Sequence, residues 1–149
     1  MLTRLGFILL VALGGAGLAI QMACNARLRI ATGSAVLTTI ISVFVTLISL
    51  GLVWISGLAD RGTIPDFQSL PKWAWLGGVF AGYYLVASLL GIPKLGAAAV
   101  LSLVITGQMV TALILDSTGA FEVPRISPNA FRVVGTLLML IGAWLIQKR

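Results

Sequence analysis

The 149-residue sequence has no histidine, a single cysteine (Cys24) and only 4 acidic residues. Without histidine there is no Ser-His-Asp relay, and one thiol makes neither an internal disulfide nor a cysteine-rich zinc cluster. With no nucleophile–base pair and no group of metal ligands, an enzyme is not expected, nor is a cofactor or a metal. Charge is scarce as well. Charged residues make up 9% of the chain, where a soluble domain carries about 25%. Disorder requires low hydrophobicity, and here 59% of residues are apolar. A core of this size cannot hide that much apolar surface from water. The solvent for which this chain is built is lipid.

What the sequence does have is long apolar runs. A spanning helix needs about 20 such residues, and segments 5–24, 35–58, 73–90, 95–115 and 131–146 approach or meet that length. All ten basic and all four acidic residues fall at or beyond the ends of these runs. The expected fold is an all-α integral membrane protein, one membrane domain over residues 1–149 with five transmembrane helices. Helix punctuation agrees. Gly33-Ser34 offers a turn and an N-cap; Ser69 with Pro71, and Ser127 with Pro128, stand ahead of the third and fifth helices. Gly91 and Pro93 are predicted to stop the third helix and start the fourth. Met1–Arg4 ahead of an apolar run resembles a signal peptide, but Gln21 and Met22 before Cys24 make a poor lipobox, so the first run is expected to stay as a span. The net charge of +6 comes without basic clusters interleaved with aromatics, so no nucleic-acid partner is expected. Lysine, arginine, Trp54, Trp73, Trp75 and Trp144 suit membrane edges instead.

Five spans put the termini on opposite sides. One side holds Arg4, Arg61, Lys72, Arg125 and Arg132; the other holds Arg27, Arg29, Lys94, Lys148 and Arg149. Orientation follows an excess of lysine and arginine in the cytoplasm, and five against five is no excess. Either a short list balances by chance, or the chain inserts both ways up. In the second case two copies pair antiparallel about an axis in the membrane plane, a ten-helix inverted repeat built from two chains.

Polar residues inside the runs are the candidate site. Gln21 and Asn25 share a helical stripe with Gly14 and Gly17. Carboxamides in hydrocarbon need partners, so the stripe faces either neighbouring helices or a wet path. Ser102, Thr106, Gln108 and Thr111 surround Gly107 in the fourth run, and Gln108 cannot easily satisfy itself on its own backbone as the hydroxyls can. Tyr83 offers a hydroxyl or an aromatic wall. Ala74, Gly78 and Gly82 repeat at four, and Gly135 and Gly142 stand two turns apart, as helix-packing or dimer contacts would. No carboxylate lies mid-span; Asp116 comes nearest, where an interfacial or capping role is expected. Arg27, Arg29 and Lys94 either draw anions or snorkel.

Taken in order, Gln21-x3-Asn25 with Leu28-Arg29 and Gly33-Ser34, Trp75-x-Gly77-Gly78 with Gly82-Tyr83, Pro93-Lys94-Leu95-Gly96-Ala97-Ala98, Gly107-Gln108 leading to Asp116 and Gly119, and Arg132-x2-Gly135 with Leu138-Met139 resemble the YdcZ branch of the drug/metabolite transporter superfamily. The resemblance implies a multi-pass bacterial inner-membrane protein, classed as an exporter, whose half-size members work as dual-topology homodimers, opposite-topology pairs or fused ten-helix chains. The balanced charge of loop 60–72 departs from that picture. The expected function is secondary transport of a small polar metabolite by alternating access, in an antiparallel homodimer. Gln21, Asn25, Gln108, Ser102, Thr106 and Tyr83 would line the path. Two rivals stay open: a dual-topology ion channel, since neutral amides also line pores, and a non-transporting membrane assembly subunit.

Overall fold

The computed structural model describes residues 3–58, 62, 67, 68 and 70–148. Asp60, Arg61, Asp66 and Arg149 of the charge balance, and the expected cap Ser69, lie outside the described residues. Among the described residues there are five long helices: α1 (Arg4–Thr32), α2 (Ala35–Ser56), α3 (Leu76–Leu95), α4 (Ala97–Thr118) and α5 (Ala130–Gln147). All five are long and apolar enough to cross a membrane. At about 1.5 Å per residue, α2 to α5 run about 27–33 Å, close to the hydrocarbon thickness. α1 runs about 43 Å and overshoots it.

Helix ends follow stop signals and not the limits of the apolar runs. α1 continues eight residues past Cys24, carrying Asn25, Arg27 and Arg29 on the helix and not in a loop. Charge does not break a helix; the first left-handed residue does, and that is Gly33 at φ 67°, whose N–H caps the Arg29 carbonyl at 2.9 Å. Ser34 then caps α2 through the Leu37 N–H, as the sequence implies. The expected stop at Gly91 and Pro93 does not occur. α3 runs through both to Leu95, and the turn into α4 is Gly96 at φ 83°. Asn129, not Ser127, caps α5: its carboxamide oxygen accepts from the Arg132 N–H at 2.9 Å, and with the helix beginning at Ala130, Ser127 stands two residues too early to do so.

The chain forms two compact units, residues 1–90 and 91–149. In the first, the C-terminal half of α1 packs on the N-terminal half of α2, burying Met22, Asn25, Ala35, Thr38 and Thr39 around the Gly33-Ser34 turn. In the second, α4 packs on α5, burying Ala99, Val100, Thr106, Thr136 and Ala143. A Cβ on Gly91 would lie 3.1 Å from Val100 Cγ2, so this glycine permits a close approach to the start of α4.

Pro93 inside α3 has no N–H, which deprives the Leu89 carbonyl of its helical donor. An orphan carbonyl beside hydrocarbon is costly. Arg29, two turns beyond Gln21 on α1, supplies the missing bond: its guanidinium donates to the Leu89 oxygen, and Leu89 is buried. The basic residue at the end of α1 thus repairs the proline break in α3. Arg29→Ala is expected to cost about 1.5–3 kcal/mol, the range for a hydrogen bond from a charged group. Pro93→Ala restores the backbone donor, so in that background the cost of Arg29→Ala is expected to fall to about 0.5 kcal/mol, beyond the additivity of independent sites. Reversible unfolding of the four proteins in mixed micelles measures the cycle.

Candidate functional site

In the first unit the stripe on α1 meets a stripe on α2. Asn25 is buried, and its Nδ2 donates to the Ser42 hydroxyl at 3.1 Å. Thr32 and Thr38 hydroxyls stand 2.7 Å apart, and Thr38, fully buried, donates to the Ser34 carbonyl at 2.8 Å. Thr46 and Ser49 turn back onto the carbonyls of Ser42 and Val45. These hydroxyls repeat at four as Ser34, Thr38, Ser42 and Thr46, a ladder on α2 that sequence reasoning passed over and that would have pointed to Ser42. Thr39 Oγ1 and Ser88 Oγ are buried without a hydrogen-bond partner among the described residues. Gln21 is half-buried and Tyr83 is exposed, and neither makes a hydrogen bond among them. Within this unit a Cβ on Gly78 or Gly82 meets nothing within 4 Å.

In the second unit two of the three hydroxyls of the fourth run are self-satisfied, while Thr111 is exposed and makes no hydrogen bond among the described residues. Ser102 donates to the Ala99 carbonyl at 2.8 Å and Thr106 to the Ser102 carbonyl at 2.7 Å. Thr106 is buried on the side of α4 that meets α5. Gln108 follows two residues later, about 200° around the helix. At the midpoint of α4 it is exposed, with no hydrogen-bond partner among the described residues. The expected cluster on α4 therefore divides over two faces, one inward and closed, one outward and open. Gly135 and Gly142 also have nothing within 4 Å of a built Cβ in this unit.

Asp116 does not act as a cap. It pairs with Arg132, Oδ2 to Nη1 at 2.9 Å, tying the end of α4 to the start of α5. Each charge opposes its own helix dipole, an acid in the last turn of α4 and a base in the first turn of α5, so pairing relieves two local penalties of about 0.3–1 kcal/mol. The intervening loop is held to the same place: Ile126 N–H donates to the Asp116 carbonyl at 2.7 Å and Arg125 Nε to the Ser117 carbonyl at 2.9 Å. Sequence reasoning singled out both residues but did not join them; sixteen residues apart, their union depends on the loop.

The family model described as "Putative inner membrane exporter, YdcZ" matches residues 6–145. The chain belongs to this family. Every candidate residue above lies within the matched span. A relative, "Inner membrane protein YdcZ" of Escherichia coli (strain K12), is 23% identical over 137 residues, covering 91% of this chain and 90% of the relative. No solved structure matches the chain. With five helices able to cross a bilayer, this member of the YdcZ family is a multi-pass inner-membrane protein. The family is a transport class and not an enzyme class.

The two kinds of polar residue respond differently to truncation. Asn25→Ala removes an interhelical bond and is expected to cost about 1 kcal/mol. Ser102→Ala removes only a back-bond within one turn and is expected to stay within about 0.5 kcal/mol of the parent. Unfolding titrations in micelles measure both.

Proposed function

We propose that the chain exports a small polar metabolite by alternating access, as an antiparallel homodimer whose path lies near the bilayer midplane. The observation that carries this reading is Gln108: a carboxamide at the centre of a membrane-spanning helix, outward-facing and without a partner among the described residues. In lipid such a group requires something to bond, and a second copy or a bound solute supplies it. Gln21 and Tyr83 are in the same condition on their own unit. The five-to-five balance of basic residues supports insertion in both orientations. The unfilled space at Gly78, Gly82, Gly135 and Gly142 supports contacts made outside each unit. In a mirrored pair each amide occurs twice, and the two copies of Gln108, each at mid-helix, stand at the same depth near the midplane, where a solute exchanges bonds from one copy to the other as access alternates. Asn25, Ser102 and Thr106, already bonded within the chain, set the walls behind these amides.

Cysteines appended singly at either terminus of a Cys24→Ala protein, where Cys24 is exposed, are expected to label from both faces of the native membrane. Labelling of each terminus from one face alone overturns the antiparallel pair. Metabolites that raise the unfolding temperature of the purified protein supply the flux assay. Flux in proteoliposomes is expected to saturate with solute, whereas a pore dissipates the gradient within seconds. Gln108→Ala is expected to lower it at least about tenfold, one hydrogen bond of about 1.4 kcal/mol, while the protein still folds.

A further inference from the structure

Where loop 119–129 closes the α4–α5 hairpin, a cavity of about 260 Å³ lies between the two helices, lined by Met109, Ala112, Leu113, Asp116, Arg132 and Thr136. Its lining is graded. Met109, Ala112, Leu113 and Asp116 follow the i, i+3, i+4, i+7 stripe of α4. The cavity therefore begins against apolar side chains two turns inside the span and ends, about 10 Å further along the helix, on the ion pair.

That pair is only half used. Arg132 Nη1 meets Asp116 Oδ2, and among the described residues no other side-chain atom of either residue makes a hydrogen bond. The two side chains are 40% and 26% exposed, so their free edges are within reach of a ligand. A simple anion or cation is attracted by one partner and repelled by the other. A ligand that carries both charges a few ångströms apart satisfies the two edges together, and its apolar continuation fits the α4 stripe. About 260 Å³ is less than the about 300–1,000 Å³ of a pocket that engulfs a whole drug-sized ligand. The volume holds a headgroup and the start of a chain, with the rest left in lipid.

We infer that this cavity binds a phospholipid with a primary-ammonium phosphate headgroup. The ammonium donates to the free oxygen of Asp116, the phosphate accepts from the free edge of Arg132, and the first carbons of the tail lie along Met109, Ala112 and Leu113. The site is complete within residues 109–136 of one chain, so it stands or falls separately from the antiparallel pair.

The experiment titrates the purified full chain in micelles with phosphatidylethanolamine, phosphatidylcholine, phosphatidylglycerol and free O-phosphoethanolamine, read by native mass spectrometry and by unfolding temperature. Phosphatidylethanolamine is expected to bind one per chain at least tenfold tighter than the other three. Phosphatidylcholine has no N–H to donate, phosphatidylglycerol has no cation and O-phosphoethanolamine has no tail. Asp116→Asn is expected to abolish the preference. Ala112→Phe fills the cavity without touching the ion pair, and is expected to abolish it too while unfolding at the parent temperature in lipid-free micelles. Equal binding of the three lipids, or a preference that survives Ala112→Phe, overturns the site. Tight binding of O-phosphoethanolamine at the same place overturns the lipid and assigns a soluble zwitterion.

Discussion

A polar group in hydrocarbon must find a partner, because no water is there to supply one. Much of this chain's architecture answers that requirement. Thr38, Thr46, Ser49, Ser102 and Thr106 turn their hydroxyls onto carbonyls of the preceding turn. Asn25 reaches across to Ser42. Even the carbonyl freed by Pro93 is met, by a guanidinium from another helix. Gln21, Gln108 and Tyr83 stand apart from this pattern, as do the buried hydroxyls of Thr39 and Ser88, and the functional reading rests on the three that are not buried. A side chain already satisfied shapes a wall, whereas an unsatisfied one is available to a solute or a second subunit.

Packing tells the same story from the apolar side. No more than 17% of the residues in any span's most apolar stretch are buried, and large side chains such as Val11, Leu13, Phe80 and Phe131 are exposed. In water this would be untenable; in lipid, apolar exposure has no such penalty. Burial is concentrated instead around the α1–α2 turn, where Asn25 bonds Ser42, at Ser88 and Leu89 of α3, and along α4 and α5, where small residues such as Ala99 and Ala143 are buried. Polar bonds and close backbone approach, more than hydrophobic gain, hold helices together in such a solvent.

The α4–α5 end of the molecule concentrates the chain's unfavourable local choices. Asp116 and Arg132 each oppose a helix dipole, and Phe121 and Glu122 take φ of 58° and 61°, a region that suits glycine. Residues held so persist when the surroundings over-determine them. Here the surroundings are the ion pair, the Ile126 and Arg125 bonds to the end of α4, and the Gly119 cap. The same charges, with their free edges open beside a cavity, are what make a zwitterionic headgroup a fitting occupant.

The sequence alone determined the solvent, the number of spans and the α2 cap, since apolar run length and short-range cap chemistry are local quantities. It also carried the family resemblance and marked Gln108 as the amide hardest to satisfy. It misplaced the end of α1 because it took the end of apolarity for the end of helicity, and that of α3 because it treated Gly91 and Pro93 as breaks. Only the tertiary structure decided that Leu89 had a donor waiting in Arg29, that Asn25 would be spent on Ser42, and that Asp116 and Arg132 would meet. Each of those depends on which helix lies opposite, and the periodicity of a single helix says which face a residue occupies but not what that face will touch.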